Sequence, residues 1–248
     1  MAALFAAGEQ GFLYDPSDLS TLSQNSDGTG AVTVGDPVGR MLDKSGRGNH
    51  ATQSIAINRP VLQIDGNGKY YLACNGTNTW MQVASFTPGV GILALAVGVR
   101  KTAIGNNWII SSMMSGAINR KWQLNGNANG YGFLHYNDVG LSSAVANTTD
   151  YAPPNTATLL SYSDYAQVAV ADELKLKINS VIPALTYTNN NISSANYAAS
   201  QLRLFAAYDG AANFFTGNFY GAVGRFAATN ATQLTSMEAY MNSKTGAY

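Results

Sequence analysis

Charge is scarce in this chain. Only 11% of its 248 residues are Asp, Glu, Lys or Arg, and the 14 cations balance the 14 anions. Ordinary globular domains carry roughly 25%. A nucleic-acid binder needs basic density to displace counterions, so that class is excluded. Cysteine is scarcer still. Cys74 stands alone, which rules out an intrachain disulfide and reads as a buried structural thiol. There are two histidines, His50 and His135, and three glutamates, Glu9, Glu173 and Glu238. No apolar run approaches the ~18 residues that span a bilayer. The opening MAALFAAGEQ has no cation and too short an apolar stretch for a secretory signal, so synthesis and folding in a cytoplasm is the expectation.

What the chain has instead is Asn, Ser, Thr, Gln and Gly, with 14 tyrosines. Neutral polar surfaces of this kind suit contacts with glycans, or with copies of the same chain, through hydrogen bonds and ring faces. The hydrophobic period is mostly two. In ELKLKIN, Leu174, Leu176 and Ile178 share one face, and Lys175, Lys177 and Asn179 the other. GILALAVGVR sets Leu93, Leu95, Val97 and Val99 against Ile92, Ala94, Ala96 and Gly98, a side small enough for close packing against a second layer. YGFLHYN, SQLRLFAAY and GNFYGAVGRF repeat the alternation. Asp27-Gly28, Asp65-Gly66, Asn75-Gly76, Asn125-Gly126 and Asp209-Gly210 fall between such runs, where tight turns need positive φ. All-β sandwiches of 200–250 residues commonly form one domain, so residues 1–248 are expected to fold as one.

One segment departs from period two. Asn230 and Gln233 have the spacing of a capping box, and Leu234, Met237 and Met241 share a helical face. Lys244 and Gly246 suit the last turn and its closure. A C-terminal helix over 230–245, docked by its apolar stripe, is expected. The polar stretches NTTDYAPPNTAT and NNNISSANYAAS read as loops.

Chemistry is thin. Glycoside hydrolysis ordinarily uses two carboxylates ~5–10 Å apart. No acidic cluster supplies them, and Asp172 and Glu173 are adjacent, so on a strand they would diverge. No His or Cys spacing suggests zinc, no G-x-S-x-G elbow is present, and the acids are too scattered for calcium. No catalytic residue, metal site or cofactor is assigned. DKSGRGNHATQ, from Asp43 to Gln53, gathers an acid, two cations and a histidine, yet Gly46 and Gly48 make it a turn first, with Asp43 holding it. Asp18, after Pro16, reads as a local backbone cap.

That stretch also carries a resemblance. DKSGRGNHATQ resembles the D-x-S-G-x-G-N-x-G/A-T opening of laminin-G-like, concanavalin A-like lectin domains. KYYLACNGTNTWMQV is similar to their L-x-F-D-G-x-D-D segment, and FFTGNFYGAVGRFAATNATQLTSMEAYMNSKTG to their last strand and following helix. LFAAGEQGFLYDPSDLSTL and VGDPVGRMLDKSGRGNHATQ resemble the beginning of bacteriophage virion proteins of tail, fibre or structural type. The acids of the second motif are replaced by Asn75, Asn78 and Thr79, so its calcium role is not carried over. The catalytic carboxylates of the related glucanases are missing too. The resemblance implies an all-β, two-sheet antiparallel jelly-roll sandwich.

The resulting expectation is a non-enzymatic virion structural protein, made in the host bacterial cytoplasm. Its partners would be other virion proteins and copies of itself, a trimer being the first expectation. Residues 1–10, with the apolar segment Ala2–Ala7, are either an arm that docks on a neighbour or a frayed end or strand edge. A glycan-binding module for host attachment is the alternative. Its platform would be Trp122, Tyr131, His135 and Tyr136, in one hairpin around NGNANGYG, of which at least half must face the core. An enzyme acting on polysaccharide through a composite subunit boundary is the third reading.

Overall fold

The computed structural model describes residues 1–105, 107–113, 121–127, 130–136, 141–146, 151–189, 196–207 and 212–248. Two antiparallel sheets face each other. The seven-stranded sheet runs Leu174–Ile178, Asn155–Asp164, Ile92–Lys101, Thr216–Phe226, Tyr70–Asn75 and Val61–Ile64, with Gln10–Tyr14 also pairing Thr216–Phe226. The ten-stranded sheet runs Leu185–Thr188, Leu141–Ala146, Tyr131–Tyr136, Lys121–Gly126, Asn107–Met113, Ser200–Leu204, Met81–Phe86, Ala51–Thr52, Arg40–Met41 and Leu22–Ser23. Period two decides what each strand buries. Leu93, Leu95, Val97 and Val99 join Leu174, Leu176 and Ile178 in the core between the sheets. From the opposite sheet come Met81, Val83, Leu124, Phe133, Leu202 and Leu204. This is the expected jelly-roll sandwich.

The expected second layer is there as well. Ala94 and Ala96 face away from the main core and pack with Leu13, Leu160 and Val223 beneath Met237 and Met241. Those methionines belong to the helix Ala231–Thr245. Asn230 caps it: its side chain accepts from the Gln233 amide at 2.9 Å, and the Gln233 side chain accepts from the Asn230 amide at 3.0 Å. Gly246 closes it in the left-handed conformation, φ 60°. Gly98 is required where the helix ends, because a Cβ there would lie 2.6 Å from Thr245 Cγ2. Among the described residues one further α-helical turn, Val170–Glu173, and three 3-10 turns, Ala2–Phe5, Leu19–Thr21 and Ala56–Asn58, are elements that period-two reading does not reveal. No helix among the described residues is long and apolar enough to cross a membrane.

The first ten residues do not extend from the body. Ala2–Phe5 forms a 3-10 turn that buries Leu4 and Phe5 in the helix-side cluster. Gln10–Tyr14 then pairs with Phe226–Ala222. The docking-arm expectation is corrected to this extent: within the described chain, the apolar side chains of this segment cover their own helix.

Turn chemistry holds in part. Gly28, Gly46, Gly48 and Gly76 take positive φ. In the Asp65-Gly66 turn that role passes to Gly68, and Asn125-Gly126 ends a strand instead of turning it. Asp209-Gly210, half of NNNISSANYAAS and the start of NTTDYAPPNTAT lie outside the described residues.

Candidate functional site

Asp43 holds its turn and does more. One carboxylate oxygen accepts from the Leu13 and Ser45 amides, both at 2.8 Å, and the other from Ser45 Oγ at 2.7 Å and the Asn49 amide at 3.0 Å. Asn49 Nδ2 donates to the Gly11 carbonyl at 2.6 Å. His50 Nδ1 accepts from the Asp43 amide at 3.0 Å, and burial, then Arg40, holds its pKa below the usual value. The opening stretch therefore clamps the first strand. Its carboxylate has no free edge for a metal, and no group of three or more His, Cys, Asp or Glu among the described residues is set to hold one. Asp18 differs from expectation. Its side chain takes the Ser20 hydroxyl and the Lys44 ammonium, both at 2.6 Å, and makes no cap bond.

The expected ring platform does not form. Trp122 is 1% exposed, and Tyr131 and His135 are fully enclosed. The reason is strand parity: Phe133 faces the core, so Tyr131 and His135 do too, and Trp122 stands opposite His135. Trp122 packs between Phe12 and Phe226 at centroid distances of 6.5 and 6.2 Å. Tyr131 lies 5.0 Å from Lys101 Nζ, which donates to the Asn127 and Gly130 carbonyls, both at 2.9 Å. Burial brings the Lys101 pKa down to about 8. His135 Nε2 meets Glu173 Oε1 at 2.5 Å, and Ser142 Oγ donates to the same oxygen at 3.2 Å. Glu173 and Asp172 diverge as expected, but from a helical turn: Glu173 is enclosed and Asp172 is exposed beside Lys175. Tyr136 alone of the four faces outward, opposite Lys121, and it is half-buried.

The outward face of the ten-stranded sheet carries a different set of groups. A single register row crosses every strand: Thr188, Ser143, Leu134, Gln123, Ser111, Arg203, Gln82, Thr52, Arg40 and Ser23. Nine of these ten side chains are hydroxyl, amide or guanidinium and none is a carboxylate, but Ser23, Ser111, Gln123, Ser143 and Arg203 are buried, so the open part of the row is its Gln82–Thr52–Arg40 end with Leu134 and Thr188. Trp80 shares this face, since Met81 between it and Gln82 points to the core. Its ring lies 3.9 Å from the Arg203 guanidinium carbon, a stacked cation–π pair. A groove of about 260 Å³ runs beside it, lined by Ser26, Thr52, Gln53, Ser54, Trp80 and Gln82. Gln53 Nε2 donates to the Trp80 carbonyl at 2.8 Å and fixes the groove floor.

Trp108 is on the same face. A bulge between Leu124 and Asn125 shifts the register, so Trp108 pairs with outward-facing Asn125. A Cβ on Gly132 would touch Asn125, Leu134 and Val145, which confirms that these share a side. Trp108 is half-buried, and its indole nitrogen is enclosed without a hydrogen bond inside the chain. Ser111 Oγ is in the same condition. Sequence reasoning missed both tryptophans. Trp80 was legible from parity with Gln82, whereas Trp108 depends on a bulge that no residue pattern announces.

Sheet order and the helix on one face define a two-sheet antiparallel jelly-roll β-sandwich. Solved structures bear out that fold. A botulinum neurotoxin serotype C1 binding domain aligns with TM-score 0.56 and 11% identity, over 93% of this chain and 52% of its own. A Trypanosoma rangeli sialidase aligns with TM-score 0.55 and 11% identity, over 96% of this chain and 33% of its own. A third is a botulinum neurotoxin type C whose cell entry is described as dependent upon interaction with two ganglioside molecules. It aligns with TM-score 0.55 and 12% identity, over 90% of this chain and 50% of its own. This chain thus spans about half the length of the neurotoxin domains it matches. No protein-family model and no curated protein sequence matches it.

Proposed function

We propose that this chain is a non-catalytic carbohydrate-binding module that uses the outward face of its ten-stranded sheet. One observation carries the reading: the half-buried Trp80 ring borders an open groove whose other lining residues, Ser26, Thr52, Gln53, Ser54 and Gln82, are all hydroxyl or amide and include no carboxylate. Sugars are bound by ring faces stacking on C–H surfaces while amide and hydroxyl groups take the hydroxyls. Hydrolysis would need a carboxylate pair across the sugar. The buried Asp15, Asp43 and Glu173 are each engaged by their own chain. The ganglioside named for the neurotoxin of like fold supports the same ligand class by analogy of fold alone.

The setting we propose is a bacteriophage particle, on the resemblance of the segments within Leu4–Gln53 to virion proteins. There the module would sit among other virion proteins, self-associate as a trimer, and touch host-surface glycan. A glycan array probed with the wild-type chain and with Trp80→Ala tests the ligand class. Binding that weakens at least tenfold in the variant, with no reducing ends released, is the expected result. Release of reducing ends by the wild type would overturn the non-catalytic assignment.

A further inference from the structure

We infer that the groove beside Trp80 selects an acidic glycan, with a sugar ring against Trp80 and a sugar carboxylate on Arg40; this rests on the carbohydrate reading above. The groove's own lining groups carry no charge, but two guanidinium groups border them. Arg40 is the register partner of Thr52, a lining residue of the same outward face. Arg59 donates to the carbonyls of two further lining residues, Gln53 at 3.1 Å and Ser54 at 3.2 Å, and to Asn25 Oδ1 at 3.4 Å. Both arginines, like Trp80, are half-buried. Arg40 stands two strands from Gln82, about 10 Å, and Trp80 two residues along from Gln82, about 7 Å. A disaccharide-sized ligand and two long side chains cover such a span.

Arg40 has no acid of its own. Its Nη1 donates to the Asp27 carbonyl at 3.5 Å, the long limit of such a bond, and most of its five N–H donors are left over. Among the described residues neither Arg40 nor Arg59 has a carboxylate within ion-pair distance, whereas Lys44, Lys244 and Arg225 each do. The acids of the adjoining loop are turned elsewhere. Asp27 Oδ1 accepts from the Thr29 amide and hydroxyl, and Asp36 Oδ2 from those of Thr33. The Thr29 hydroxyl is the main cause of the lowered Asp27 pKa, with Arg40 a minor contributor. Gly28 leaves room for the guanidinium, since a Cβ there would lie 2.6 Å from Nη1. A neutral groove bordered by cations draws anions in. The planar fork of an arginine then matches a carboxylate through two parallel hydrogen bonds.

The test is calorimetric titration with matched probes: oligogalacturonate, oligomannuronate and sialyllactose, each against its own methyl ester, with a neutral β-1,4-glucan and a sulfated oligosaccharide of similar length. For the probe that binds, the free acid should bind at least tenfold more tightly than the ester, and added salt should shrink that difference. Trp80→Ala should weaken acid and ester alike. Arg40→Gln should bring the acid down to the affinity of the ester, with an unchanged urea midpoint to report folding. Arg40→Lys keeps the charge without the fork, stands in should Arg40→Gln not fold, and should lose at least threefold of the preference. Esters or neutral glycan bound as tightly as acids, or a preference that survives both Arg40 variants, overturns the acidic selectivity and leaves carbohydrate binding standing. Tighter binding of the sulfated probe overturns the carboxylate assignment. No binding of any probe by the folded wild type overturns both readings.

Discussion

Asp15 shows how one side chain joins distant parts of this molecule. It accepts from the Ser17 amide and hydroxyl, from Tyr240 Oη at 2.8 Å and from Lys244 Nζ at 2.9 Å, and so joins the end of the first strand to the last helix. Burial alone would raise its pKa, but the hydrogen bonds from Ser17, Lys244 and Tyr240 outweigh it and leave a value of about 2. The unfolded chain has a value near 3.9, so the folded carboxylate is the better acid. Its stabilisation is full above pH ~4 and is lost as pH falls toward 2, about 2 kcal/mol in all. Asp15→Asn should therefore unfold at lower urea concentration at pH 7, with a deficit of that order. The deficit relative to wild type should shrink as pH is lowered from 4 to 2. A deficit independent of pH across that window would show that the charge is not what holds the helix.

At the level of elements, close approach decides the packing. The helix Ala231–Thr245 sits directly on Ile92–Lys101 because Ala94, Ala96 and Gly98 present almost no side chain there. Gly98→Val would drive a branched side chain into Thr245 and Tyr220, where even a Cβ would lie at 2.6 and 3.3 Å. Overpacking of this kind costs roughly 1–3 kcal/mol, measurable as a fall in the denaturant midpoint without a change in slope. Full wild-type stability in this variant would mean that the helix is not seated as described. This layer was legible in the sequence, since small residues alternate with Leu and Val in GILALAVGVR and a capping box opens the helix. The outward face of the ten-stranded sheet was less so. Period two says that Trp122 and Gln123 oppose each other, but which one is inside depends on the partner sheet. Phe133, read as the centre of its run, settles it through register: Leu124 is opposite, hence Trp122 is inside and Gln123 outside. The ring-rich hairpin attracted attention for its composition, while its aromatics serve a buried ammonium and a buried carboxylate.

Over the whole molecule, the sandwich is closed by its ends. Leu4 and Phe5 lie in the cluster with Met237 and Met241, so the chain's beginning covers its final helix. Three charged groups hold that cover. Arg225 Nε donates to the Leu4 carbonyl at 2.7 Å, Arg225 Nη2 pairs with Glu9 at 2.8 Å, and Arg47 Nη2 donates to the Phe5 carbonyl at 2.7 Å. Burial of a large apolar side chain such as Phe is typically worth ~3–5 kcal/mol against its removal. The guanidinium of Arg225 is itself nearly enclosed and would lose two partners at once. Deletion of residues 1–9 should therefore destabilise the isolated chain by about 4 kcal/mol or more, read by urea unfolding, and should expose Met237 to mild oxidation. An arm that reached for a neighbour would behave in the opposite way: the truncated chain would keep its unfolding midpoint and lose only its assembly, read by light scattering. The packing of Leu4 and Phe5 against the helix favours the first outcome, because an apolar turn already buried at home has little surface left to offer a partner.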